Sequence, residues 1–70
     1  MLKTIKEISV GQKWYAAGTP WCVVDIIDIV CWDKENPDKL ISYDIYYKFD
    51  NGRIEDKDAF NFQVRYAKHD

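Results

Sequence analysis

Residues 21–32 read Trp21-Cys22-Val23-Val24-Asp25-Ile26-Ile27-Asp28-Ile29-Val30-Cys31-Trp32, and the fold turns on whether they form a strand or a helix. Only Asp25 and Asp28 are charged, so the core must form on this stretch. Six of the eight residues from Val23 to Val30 are β-branched. Such side chains lose rotamer freedom in a helix and fit a pleated surface. A helix has support of its own: Thr19 suits an N-cap, Pro20 suits the first helical position, and Val23, Ile26, Ile27 and Val30 would share one face. As a strand, neither face is clean, because Asp25 is odd and Asp28 even. A bulge or bend near Asp25–Asp28 reconciles the two, since one extra residue switches the buried parity. The strand is the primary expectation because the rest of the chain reads as β. An α+β fold with one helix near residues 20–30 is the alternative.

On the C-terminal side, Asp33–Lys39 is polar around Asn36-Pro37 and reads as a solvated loop. Ile41, Tyr43, Ile45, Tyr47 and Phe49 then alternate with Ser42, Asp44, Tyr46 and Lys48, which predicts a half-buried strand with its odd residues inward. Asn51-Gly52 suits a two-residue type I′ hairpin turn. That turn would set Asp50 opposite Arg53, Phe49 opposite Ile54 and Lys48 opposite Glu55, cross-strand pairs worth about 0.2–1 kcal/mol each. Asp58 suits the cap of a single helical or 3₁₀ turn. Phe62, Val64 and Tyr66 alternate as a last strand, and Lys68-His69-Asp70 reads as a frayed tail. On the N-terminal side, Ile8 and Val10 flank Ser9 as a strand end. Lys13-Trp14-Tyr15 starts a short apolar run, and Ala16–Pro20 turns the chain into the central strand.

Seventy residues make one domain, 1–70, and a chain of this size buries only about 60% of its unfolded surface. Eleven aromatics (three Trp, five Tyr, three Phe) compensate for the thin core. No apolar run approaches the ~18 residues of a membrane span. Met1–Gly11 lacks a signal-peptide pattern, so a cytoplasmic location is the expectation. Cys22 and Cys31 are separated by roughly 30 Å if extended or roughly 14 Å if helical, whereas a disulfide needs about 7 Å. They read as free thiols acting as small buried hydrophobes. There is no CxxC and one histidine, His69, so neither a metal nor a cofactor is expected.

The order of elements resembles the small SH3-like barrel. The resemblance rests on Val10-Gly11-Gln12-Lys13-Trp14, the alternating Ile41–Phe49, the turn at Asn51-Gly52 and the Asp58–Phe62 segment. It also looks like short phage and prophage proteins of this barrel type. The resemblance implies a mainly β, five-stranded antiparallel barrel. The ALYDY-type stretch and ligand-binding proline of signalling SH3 domains are absent, so proline-rich recognition is not implied.

Function is read from what the chain lacks and where its charge lies. There is no Gly-rich phosphate loop, no Ser-His-Asp set and no Cys-His pair. In a regular strand Asp25 and Asp28 face opposite sides and cannot act as paired carboxylates. The expectation is a non-enzymatic protein. Net charge is −2, but residues 25–58 carry ten acids and five bases, a local charge of −5. That disfavours nucleic acid, whose binders concentrate Lys and Arg. Tyr46 points outward between Asp44 and Lys48, while Tyr15, Trp21 and Trp32 lie at loop edges. Exposed aromatics among acids suit a cationic protein partner. The candidate binding residues are Tyr46, Trp32, Trp21, Tyr15, Asp44, Asp33 and Glu35. The expected partner is a host protein with a basic surface, bound by a phage-type accessory or inhibitor that is a monomer or weak homodimer. The alternatives are a nucleic-acid-binding small barrel and a structural or assembly protein that self-associates.

Overall fold

The central stretch is a strand. The computed structural model describes residues 4–68, and the helix considered near 20–30 is replaced by a 13-residue strand, β2 (Thr19–Cys31). It pairs with β1 (Lys13–Ala16) on one side and β3 (Tyr43–Phe49) on the other. Against β3 the register runs Ile26 to Tyr47 and then Asp28 to Tyr46, which leaves Ile27 as the extra residue of a bulge. Before the bulge Val24 and Ile26 are buried; after it Ile29 faces the core and Asp28 turns to solvent. Asp25 and Asp28 therefore lie on the same outer face, opposite Lys48 and Tyr46. The bulge expected near Asp25–Asp28 is thus present, and it brings together two carboxylates that a regular strand would set apart.

Two further strands complete one antiparallel sheet, β4 (Ile54–Asp58) and β5 (Tyr66–Lys68), in the order β4-β3-β2-β1-β5. The class is mainly β with five strands, as expected, but the sheet does not close into a barrel. β4 and β5 remain its two edges. β5 has only three residues, and β4 carries Glu55 and Lys57 on its core side, opposite Tyr47 and Ile45. Neither edge offers the apolar row that closure would bury.

The β3–β4 connection differs from a two-residue turn. The Phe49 carbonyl accepts from Gly52 N–H at 2.9 Å, and Phe49 N–H donates to the Arg53 carbonyl at 2.8 Å. Gly52 has φ +88° and Asn51 has negative φ. This is a three-residue loop ending in a left-handed glycine. Lys48 consequently faces Ile54 and Tyr47 faces Glu55, one residue away from the register expected of Asn51-Gly52. Arg53 folds over Phe49, 4.8 Å from the ring centroid, and Asn51 Oδ1 accepts from Arg53 N–H at 2.9 Å. These contacts are compatible with the longer loop.

The segment after β4 is α1 (Ala59–Arg65), a helix rather than a strand. Asp58 caps it, accepting from Asn61 N–H at 2.9 Å and from the Asn61 amide at 2.7 Å. Ala59 and Phe62, three apart, are fully buried, while Phe60 and Val64 are exposed. Helical spacing thus overrides the apparent alternation of Phe62, Val64 and Tyr66. The expected strand end at Ile8–Val10 is also absent. A 3₁₀ turn (Ile5–Glu7) leads into buried Ile8, and Gln12 Oε1 accepts from Ser9 N–H and from Trp14 Nε1. A second 3₁₀ turn (Leu40–Ser42) buries Leu40 and leaves Ile41 exposed, so β3 starts two residues later than expected.

The core lies on the face of the sheet that α1 and the 3₁₀ turns contact. Phe62 is its hub, with ring centroids at 5.1 Å from Trp14 and Tyr47 and 4.8 Å from Tyr66. Cys22 and Cys31 are free thiols and only half-buried, a correction to their expected burial. Both lie on β2, whose extended backbone holds them apart. No helix among the described residues is long and apolar enough to cross a membrane. Lys68, expected in a frayed tail, instead ends β5 opposite Trp14; the expected fraying of His69 and Asp70 falls outside the described residues.

Candidate functional site: the acidic outer face around Tyr46

The outer face of β2, β3 and β4 is built from cross-strand rows. One row sets Val30, Asp44 and Asp58 side by side; the next sets Asp28, Tyr46 and Asp56. The third runs Asp25, Lys48 and Ile54. Three carboxylates, Asp28, Asp44 and Asp56, thus lie around Tyr46, with Asp58 beside Asp44 in the neighbouring row. The bulge at Ile27 supplies Asp28, and the three-residue loop supplies Asp56 and Asp58. Like charges directly opposite one another destabilise a sheet, so the pair Asp44–Asp58 is a cost that packing elsewhere must offset.

The electrostatics follow from that crowding. Partial burial, a hydrogen bond with the Asp56 carboxyl and the Asp56 charge push Asp44 up to about 6, although the Tyr46 hydroxyl, which donates to it, opposes the rise. The negative charges of Asp44 and Asp56 in turn raise Tyr46. Asp58 behaves differently: burial would lift it, but hydrogen bonds from Asn61 outweigh that and lower it. Asp25 is neutralised by Lys13, 2.7 Å away, and so contributes little free negative charge. The face is ringed by exposed apolar side chains, Val30 on β2 and Ile54 on β4. Among the described residues no group of three or more His, Cys, Asp or Glu has metal-binding geometry.

Of the residues expected to bind, Tyr46 and Asp44 meet at the centre of this face. Trp32 lies one residue beyond β2, near the Val30–Asp44 row; it is 62% exposed and its Nε1 donates to the Ile41 carbonyl at 3.0 Å. Trp21 is 77% exposed at the opposite end of β2. Tyr15 is half-buried on β1, between Val23 and Ala67. Asp33 is occupied locally, accepting from Glu35 N–H and from the Asn36 amide, and Glu35 stays in that loop. Residues 21, 15, 33 and 35 are therefore not brought to the Tyr46 face by the strand pairing.

Asp56, Asp58 and Ile54 escape the sequence reading because of the hairpin register. A two-residue turn sets Lys57 opposite Tyr46; the observed turn sets Asp56 there. The signal that could have found them is Gly52 itself, which also serves as the left-handed residue ending a three-residue loop. Comparison with protein-family models, with curated proteins and with solved structures finds no match for this chain.

Proposed function

We propose that this protein is a non-enzymatic binding module whose acidic outer face engages a basic surface of a partner protein, blocking whatever that surface would otherwise contact. The observation that carries the reading is the row Asp28–Tyr46–Asp56 beside Asp44 and Asp58. Self-repelling carboxylates on one face gain most from a cationic partner, and Tyr46 supplies a rigid aromatic contact for a Lys or Arg. Val30, Trp32 and Ile54 add exposed apolar area at the border. The same face would repel a phosphate backbone. Self-association through β4 is disfavoured by the charges of Glu55 and Lys57 on its core side, a common device against edge pairing.

The test is affinity capture from the native host with wild-type and altered baits. A specific partner retained by wild type and lost with Tyr46→Ala or Asp56→Lys is the expected result. Capture that is indifferent to both substitutions would overturn the assignment of the face. Duplex DNA should bind no tighter than the non-specific range of about 10⁻⁴–10⁻⁶ M at physiological salt. Sub-micromolar binding with a steep salt slope would favour the nucleic-acid alternative instead.

A further inference from the structure

The open seam between β4 and β5 encloses a cleft of about 360 Å³ on the side of the molecule away from the Tyr46 face. Its walls come from five elements. Ala16 ends β1 and Ala17 follows it, Tyr47 lies on β3, Glu55 and Lys57 on β4, Arg65 ends α1 and Tyr66 opens β5. The two tyrosines pack with ring centroids 5.3 Å apart, and a hydrogen bond links their hydroxyls. The charges in the cleft are unequally satisfied. Glu55 is held by Arg53 at 2.7 Å. Lys57 and Arg65 have no carboxylate within ion-pair distance among the described residues. An inward cation on an edge strand guards that edge, which accounts for Lys57. It does not account for Arg65, which reaches the same cleft from the other side of the seam.

We propose that this cleft binds a carboxylate carried on a small apolar body, held by Lys57 and Arg65. The guanidinium offers a planar fork that matches a carboxylate, and the ammonium adds a second charged donor. Ala16, Ala17 and the half-buried Tyr66 ring border the apolar body, while Tyr47 closes the floor of the cleft from within the core, which makes an acid fit better than inorganic phosphate. The carboxylate can belong to a free small acid or to the C-terminus of a peptide lying between the two open strand edges.

Three probes decide the matter by NMR titration of the labelled full chain: isovalerate, the peptide acetyl-Val-Thr-Val as the free acid, and the same peptide as its C-terminal amide. The expected result is saturable shifts at Ala17, Lys57 and Arg65 with at least one of the acids, and binding of the amide weaker by about tenfold or more. Response to isovalerate alone identifies a free acid as the source; response to the peptide acid alone identifies a chain terminus. Lys57→Gln and Arg65→Gln should each weaken the acid, and both side chains lack ion-pair partners among the described residues, so the fold should survive. Should either variant unfold, the acid-against-amide comparison on wild type still decides. Equal binding of acid and amide, or no saturable shift from either acid, would overturn the proposal.

Discussion

Strand β3 has two neighbours, and they are specified by different physics. On one side it meets β2, where both strands present apolar side chains to the core: Val24, Ile26 and Ile29 against Phe49, Tyr47 and Ile45. A slip of one residue there would expose an entire apolar row, so burial enforces the register. On the other side it meets β4, Ile54-Glu55-Asp56-Lys57-Asp58, in which no residue is a buried hydrophobe. A slip there exchanges one polar side chain for another and costs little in burial. The loop, not the core, sets that register. The contrast teaches where function can reside. The pairing that burial enforces carries stability, and the pairing that burial leaves open determines which charges meet Tyr46.

The contrast breaks most sharply at the core. Ile45→Ala, on the β2–β3 side, should destabilise by about 2–5 kcal/mol, because Ile45 is fully buried. Ile54→Ala, on the exposed β4, should change stability by no more than about 0.5 kcal/mol. Urea unfolding of the two variants measures the difference, and comparable losses would contradict the division between the two pairings. A smaller effect is expected at the loop. Gly52 sits at φ +88° with open space around it, so Gly52→Ala meets no clash and pays only backbone strain, about 1 kcal/mol. Cross-strand amide contacts in that variant should still place Tyr46 opposite Asp56. A shift to Lys57 opposite Tyr46 would show that the glycine alone holds the register.

Legibility in the sequence follows the same line. The β2 strand and its bulge were readable because β-branched residues and two misplaced aspartates leave few other solutions. The alternation of β3 was readable from Tyr43 to Phe49, since its apolar side chains all have a core to face. Phe62 misled, because a strand and a helix both bury it; only the Asp58 cap, acting with Asn61, separates them. The acidic site was half readable. Tyr46 and Asp44 lie on β3 itself, whereas Asp56 and Asp58 depend on a turn whose two forms share the residues Asn51-Gly52. Barrel closure was not readable either, because it depends on Glu55 and Lys57 falling on the core side, which the same turn decides.

The smallest effect concerns Asp44 and separates the cost of the acidic face from its use. Asp44 is raised to about 6 by burial and by Asp56, against about 3.9 in an unfolded chain. A carboxyl that binds its proton more tightly when folded contributes full stability below the unfolded value. That contribution falls away as pH rises through the folded value. The protein should therefore lose stability between about pH 4 and pH 6 as Asp44 ionises beside Asp56. Asp44→Asn, which removes the charge, should be more stable than wild type at pH 7 by about 1 kcal/mol, a modest figure because Asp44 is only half-buried on the outer face and solvent screens its field. The advantage should vanish near pH 4, where wild-type Asp44 is protonated. Partner binding should run the opposite way, tightening as pH rises through 6 and weakening in Asp44→Asn, because a basic surface needs the ionised form. A variant that gains stability at pH 7 and keeps its partner would leave Asp44 as a defect of packing and remove it from the binding face.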